Sequence, residues 1–281
     1  MIKEIIFDDM KAIEIRTSNW RIALITECGP RIAFLGKDDD KNILYWDKNA
    51  VSRQDWNLHG GHRVWITRPY ADESEDTYMT DNEACDVKIG TDYVIAMSPP
   101  HEFTKLSRGI KVEIIDKNSF KVINIIKNDG QLIYSGGVWS PTCINPDGKE
   151  IFVDLGEDNV TWDIVKIVIP RIFAGNKVKI NDDQISFTEN KMILKPNGVL
   201  TKRCVCAPKG KVYTEWKDER IRFSKEVKYI RDGNYPLDGC NIAVFLGQDN
   251  WMAEMETFGV EQVIKPGETI CNEELWTIEN Y

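Results

Sequence analysis

The sequence predicts an all-β fold, a large antiparallel β-sandwich with few short helices, and three observations predict it. Short runs alternate apolar and polar residues with period 2, separated by Gly, Asp, Asn and Pro. Long amphipathic helical patterns are missing. No low-complexity linker and no repeat of roughly 20–50 residues divides the chain, so residues 1–281 read as one sandwich domain. A barrel or a propeller is the competing architecture, and a propeller would show the blade-length self-similarity that this chain lacks.

The strand candidates follow in order. Arg21 to Thr26, Arg31 to Leu35, Ile43 to Trp46 and Tyr93 to Met97 come first. Ile110 to Ile114 and Phe120 to Ile126 alternate regularly about Asp116-Lys117-Asn118-Ser119, which reads as the turn of a hairpin. Lys211 to Trp216, Ile221 to Tyr229, Ile242 to Leu246 and Ile270 to Ile278 complete the set. Arg68 to Gly90 differs, being acidic and poor in strand signal. It is either a loop that builds a binding site or a solvated excursion.

Composition narrows the function classes. The net charge is −9, from 36 basic and 45 acidic residues, which argues against nucleic-acid or anionic-membrane partners. The first residues carry acidic groups and no apolar signal-peptide core, and no apolar run approaches the ~20 residues of a membrane span. Seven scattered cysteines fit reduced thiols, so a cytoplasmic location is expected. Cys204 and Cys206 share a strand face and read as small buried hydrophobes. P-loop, GxGxxG, HExxH and nucleophile-elbow motifs are absent, and three histidines without metal spacing predict neither metal nor cofactor.

Two segments concentrate chemistry. Trp56 to Trp65 holds His59, His62, Arg63, a Gly60-Gly61 pair and two tryptophans. The glycines permit close backbone approach, and His62 is suited to proton transfer. His59 is the weaker candidate, and His101, after Pro99-Pro100, reads as a loop residue. In Met252 to Gly259, Glu254 and Glu256 share a face with Met252 and Phe258, either towards solvent or in a lined pocket. Trp251, Ala253 and Met255 on the other face suit the core. Among nine tryptophans, Trp46, Trp216 and Trp276 read as core. Trp56, Trp65 and Trp139 fall in or beside polar, Gly-rich stretches, and Trp139 is open to either pocket or core. Indole faces are platforms for pyranose rings, whose hydroxyls charged groups can bond.

Several segments, in order, resemble the galactose mutarotase-like (aldose 1-epimerase-like) superfamily, and specifically a little-characterised bacterial branch. They are Gly29 to Gly36, Gly60 to Trp65, Thr77 to Asn82, Gly137 to Thr142, Glu254 to Gly259, Lys265 to Thr269 and Glu274 to Ile278. The resemblance implies a β-supersandwich with a sugar cleft across one sheet. It implies Glu256 as the base that takes the anomeric proton. It aligns His62, beside Arg63, with the first histidine region, which contacts the sugar. Arg63, Trp65, Tyr78, Asn82, Trp139 and Glu254 are the expected substrate-binding residues. Typical aldose epimerases carry a second histidine as the acid, after an Asn-containing turn. Asn128-Asp129-Gly130 resembles that turn, but Trp139 follows and no histidine lies after His101. If the reaction occurs, His62 or a different group must then serve as the acid, and His62 is the expected one.

Three readings follow. The first is a carbohydrate-binding protein with a mutarotase-like cleft that interconverts sugar anomers without a cofactor. The second is a non-catalytic carbohydrate-binding protein on the same fold. The third, a polysaccharide lyase or hydrolase, ranks last, because two carboxylates on one strand do not flank a scissile bond. A phosphorylated sugar would call on Arg63, Arg68 or Lys195. The expected partner is a small carbohydrate, and the exposed edges of a large sandwich fit a homodimer.

Overall fold

The computed structural model describes residues 1–37, 41–50, 52–53, 56–69, 78–156, 167–171 and 179–281. Antiparallel strands dominate. Ten form one sheet, in the order Ile185–Phe187, Lys191–Leu194, Lys149–Asp154, Lys211–Trp216, Ile221–Val227, Thr269–Asn280, Ser119–Asn128, Leu106–Ile114, Tyr93–Met97 and Asp86–Ile89. Six form a second, in the order Ile167–Pro170, Thr201–Cys206, Ile242–Leu246, Ala253–Phe258, Val138–Ile144 and Trp65–Ile66. Four N-terminal strands, Ile2–Phe7, Met10–Arg16, Arg21–Ile25 and Arg31–Gly36, form a third. One core draws on all three, with Ile22 and Leu24, then Val112, Val122 and Ile278, then Val205, Val244 and Met255. Helix among the described residues is confined to short turns at Pro236–Gly239 and Gln248–Asn250.

The period-2 segments form strands because their alternate residues supply this core. The expected hairpin pairs Val112 with Val122 across a turn in which Asp116 accepts from the Asn118 N–H at 2.7 Å. Five expectations are corrected. Ile43 to Trp46 makes only isolated bridges, Leu44 to Ile144 and Trp46 to Gly60, because it meets two neighbours one residue at a time. The strand from Ile221 stops at Val227 rather than Tyr229. Within the acidic stretch Arg68 to Gly90, Asp86–Ile89 is an exposed edge strand of the ten-stranded sheet, while residues 70–77 lie outside the described set. Trp251 is 42% exposed, because the strand begins only at Ala253, after the turn at Gln248–Asn250. Trp276 is fully buried, as expected, but Trp46 and Trp216 are only half-buried.

His62 joins two sheets by its backbone, bridging Ile32 on one side and Thr142 on the other. The glycines before it make this approach possible. Both have positive φ, and a Cβ would lie 2.6 Å from the Tyr45 carbonyl oxygen at Gly60 and 2.4 Å from that of Ile32 at Gly61. From there the segment alternates. His62 and Val64 point into the core, whereas Arg63 and Trp65 point to the outer face of the six-stranded sheet.

Between the layers lies a polar cluster without solvent. Lys225 and Glu274, both fully buried, are ion-paired at 3.0 Å. Lys225 Nζ also donates to the Thr142 hydroxyl at 2.7 Å and to the carbonyls of Ser140 at 3.0 Å and Met255 at 3.1 Å. Trp276 Nε1 donates to Glu274 at 2.6 Å, and Thr257 donates to its other oxygen. His62 Nδ1 lies 2.8 Å from the Thr142 hydroxyl, and Nε2 lies 2.8 Å from Asn124 Oδ1. Because Lys225 already donates to Thr142, the consistent pattern has Thr142 donating to Nδ1 and a neutral imidazole donating from Nε2 to Asn124. Burial opposes the Glu274 charge, but Lys225, His62 and the two hydrogen-bond donors hold its carboxyl below the usual range. Burial also pulls the Lys225 ammonium down, and Glu274 pulls it back.

Burial lowers the His62 pKa to about 4, with Glu274 opposing and Lys225 and Arg63 adding to the depression. The unfolded chain therefore binds this proton near the ordinary value of about 6.5, and the folded chain only near 4. Stability is full above about pH 6.5 and falls as the pH drops towards 4. The expected loss from this group is about 3 kcal/mol. Urea unfolding at stepped pH, compared with a His62→Gln variant, checks it. If the two slopes are equal across that window, this titration is not responsible.

Candidate functional site

The outer face of the six-stranded sheet is set by register. Val138–Ile144 pairs with Ala253–Phe258 so that Trp139 faces Phe258, Pro141 faces Glu256 and Cys143 faces Glu254. On the other side, Glu254 pairs with Phe245, which faces Lys202, and Glu256 pairs with Ala243, which faces Cys204. Directly paired residues point the same way. Glu254, Glu256, Trp139 and Lys202 thus share one face, while Ser140, Thr142, Met255 and Thr257 point inward to the Lys225 cluster.

Aromatic rings line this face. Trp65 lies 4.7 Å from Trp56, 5.1 Å from Trp139 and 4.7 Å from Tyr78, measured between ring centroids. Trp139 stacks on Phe258 at 6.4 Å. Leu58, Ile169, Tyr229, Leu237 and Val260, all partly buried, pack around them.

Two buried ion pairs sit among the rings. Arg63 Nη2 donates to Glu254 Oε1 at 3.2 Å, and its guanidinium lies 4.6 and 4.5 Å from the Trp56 and Trp65 ring centres. Cys143 Sγ contacts the same Glu254 oxygen at 3.3 Å. Burial first, then the Glu254 charge, push that thiol up, so it is a donor and not a thiolate. Lys202 Nζ is 3.2 Å from Glu256 Oε1 and 5.3 Å from the Trp139 ring centre. Trp139 Nε1 donates to the other Glu256 oxygen at 2.7 Å. A third pair, Arg31 to Asp81 at 2.7 Å, braces the adjoining segment, and Arg31 also donates to the Gly60 and Asn57 carbonyls.

The expected residues divide into three groups. Arg63, Trp65, Tyr78, Trp139, Glu254 and Glu256 come together on one face. Both glutamates are buried rather than solvated. Asn82 is exposed, with its Oδ1 accepting from Asn57, and the neighbour that turns inward is Asp81. His62 lies on the inner side of the sheet, so the expected acid and the expected base are on opposite faces. The physical reason is the strand period: His62 and Arg63 are consecutive and cannot face the same way. His59 is buried and stacked on Trp46 at 5.2 Å, with Nδ1 donating to the Asp47 carbonyl at 2.9 Å. Arg63, Arg68 and Lys195 do not converge. Arg63 is committed to Glu254, Arg68 lies over Tyr134, and Lys195 pairs with Glu150 on the other sheet. Among the described residues no group of three or more His, Cys, Asp or Glu side chains is placed to hold a metal ion.

Lys202 escaped sequence reasoning, although a signal existed. It lies two positions before Cys204, on the same face, in a strand whose residues are all buried.

No family model and no curated protein matches this sequence. Solved structures do. A candidate aldose 1-epimerase from Escherichia coli K12 superposes with a TM-score of 0.65 at 9% identity, over 95% of this chain and 98% of that one. The chain has the galactose mutarotase-like fold. A galactose mutarotase-like protein from Clostridium acetobutylicum matches with a TM-score of 0.62 at 12% identity, covering 100% and 99% of the two chains. Another, from Lactobacillus casei, matches with a TM-score of 0.63 at 11% identity, covering 95% and 100%. At such identities the likeness is one of fold.

Removing one member of a buried pair leaves the other charge unpaired, which costs about 3–5 kcal/mol. Glu254→Gln is expected to destabilise the protein by that amount by stranding Arg63. Arg63→Met with Glu254→Gln together should cost less than the sum of the two single changes. Urea denaturation of the four proteins checks this, and strict additivity would show the pair to be uncoupled.

Proposed function

We propose that the outer aromatic face binds the pyranose ring of a neutral sugar and interconverts its anomers, with Glu256 as the base. One observation carries the reading. The buried indole N–H groups of Trp56 and Trp65 have no hydrogen-bond acceptor among the described residues. Buried donors without acceptors cost about 1–3 kcal/mol each, and donors left open beside a carboxylate invite a ligand rich in oxygen acceptors. Sugar hydroxyls supply such acceptors, and the apolar face of a pyranose suits the surrounding rings.

Charge favours a neutral sugar over a phosphorylated one. Arg63 and Lys202, two cations of this face, are each already paired with a carboxylate. Glu256, whose partners include the Lys202 ammonium and the Trp139 indole, is the base candidate, and Glu254 is committed to a guanidinium that does not release a proton. A second reading, carbohydrate binding without catalysis, is favoured by the position of His62 behind the sheet.

Exchange NMR between α and β anomers, over a panel of free and phosphorylated aldoses, tests the proposal. The wild type is expected to accelerate exchange of a neutral aldose. Glu256→Gln should lower the rate by roughly 10²–10⁴-fold, with saturation-transfer contacts to the sugar still visible. Binding without acceleration in the wild type would select the second reading, and no binding across the panel would sink both.

A further inference from the structure

We infer that Lys202 is the proton donor that works with Glu256, in the place that a histidine would otherwise fill. The inference rests on the anomer-exchange reading above and adds the acid to it. Ring opening needs two proton transfers: one from the anomeric hydroxyl to a base, and one from an acid to the ring oxygen. The base lies on the outer face, so the acid must lie there too. His62 is excluded because its ring is inside the sandwich, between Thr142 and Asn124. Trp139 stands close to the carboxylate, but an indole N–H only donates a hydrogen bond and does not give up its proton near neutral pH. Arg63 keeps its proton for the same practical reason. Lys202 is an amine on the right face, 3.2 Å from Glu256 and almost wholly buried.

The pair also has the right coupling. With Glu256 ionised, its charge holds the proton on Lys202. When Glu256 accepts the anomeric proton, that charge disappears, and the buried ammonium beside it becomes a better acid. Uptake by one member therefore prompts release by the other. In the forward step the O1–H proton passes to Glu256, the C1–O5 bond breaks as C1=O1 forms, and O5 takes a proton from Lys202. After rotation about C1–C2, O5 returns its proton to the Lys202 amine and attacks the other face of C1, while O1 recovers the proton from Glu256. The enzyme ends unchanged, and no oxidant or further reactant is required.

Steady-state anomer exchange and its pH profile test this. Lys202→Met is expected to lower kcat by on the order of 10²-fold or more, well beyond its effect on KM. Lys202→Arg keeps the charge but holds its proton too tightly, so it should restore folding without restoring kcat. In the wild-type profile the alkaline limb should follow loss of an amine proton, on the alkaline side of any histidine limb. A limb near the ordinary histidine value of about 6.5 would overturn the assignment without needing any variant. So would a Lys202→Arg enzyme of wild-type rate, or a Tyr78→Phe loss exceeding that of Lys202→Met. Absence of any exchange by the wild type removes the reaction and this acid with it, whereas exchange that ignores Lys202 removes only the acid.

Discussion

The ammonium of Lys225 holds the two layers in register. It reaches from the ten-stranded sheet to the carbonyls of Ser140 and Met255, which belong to the two adjacent strands that carry Trp139, Glu254 and Glu256 on their other side. A buried ion pair is weak evidence for net stability, since desolvation consumes much of the attraction. What it supplies here is uniqueness. Glu274, Thr142 and the two carbonyls accept from one Nζ, and sliding either strand by one residue would replace them with side chains of the opposite face. Pairing of the outer-face residues therefore depends on a polar cluster that no ligand touches.

That dependence follows from the strand period. Each strand of the six-stranded sheet has two chemistries at alternate positions. Thr142 and Met255 serve the inside, while Cys143, Glu254 and Glu256 serve the outside. The segment Gly61 to Trp65 obeys the same rule with mixed residue types, so that one histidine and one arginine, adjacent in sequence, have unrelated roles. His62 completes the inner network through Thr142 and Asn124, and Arg63 braces Glu254 between two indoles. The glycines before them are required because the backbone must pass within reach of Ile32 and Tyr45 before this alternation begins.

The same rule explains what the sequence disclosed. Tyr93–Met97, Lys211–Trp216 and Ile242–Leu246 were legible to the residue, because their apolar content and flanking turns leave one interpretation. The shared face of Glu254 and Glu256 was legible too, but not which way it pointed: carboxylates on one face read as solvated unless the partners that bury them are known. Those partners, Arg63 and Lys202, are distant in sequence from the strand that carries the glutamates. Glu274 hides in the same way. It alternates with Ile270, Asn272, Trp276 and Ile278 on a buried face, with the exposed Glu273 beside it. His62 was misdirected by adjacency, since closeness in sequence to Arg63 was taken as closeness in space, and in a strand the two are opposed.

Burial also decides what the outer face can do. Glu256 has no exposed surface, and its two oxygens are held by one indole donor and one ammonium. A ligand that enters this face competes with those donors for the carboxylate. Glu254, chemically the same group on the same strand, is fixed by a guanidinium held between tryptophans and by the Cys143 thiol. A guanidinium keeps its proton, so Glu254 faces a fixed positive charge. An amine can let its proton go, so the carboxylate beside it can change charge. The two carboxylates, two residues apart, thus face different cations, a guanidinium at Glu254 and an ammonium at Glu256.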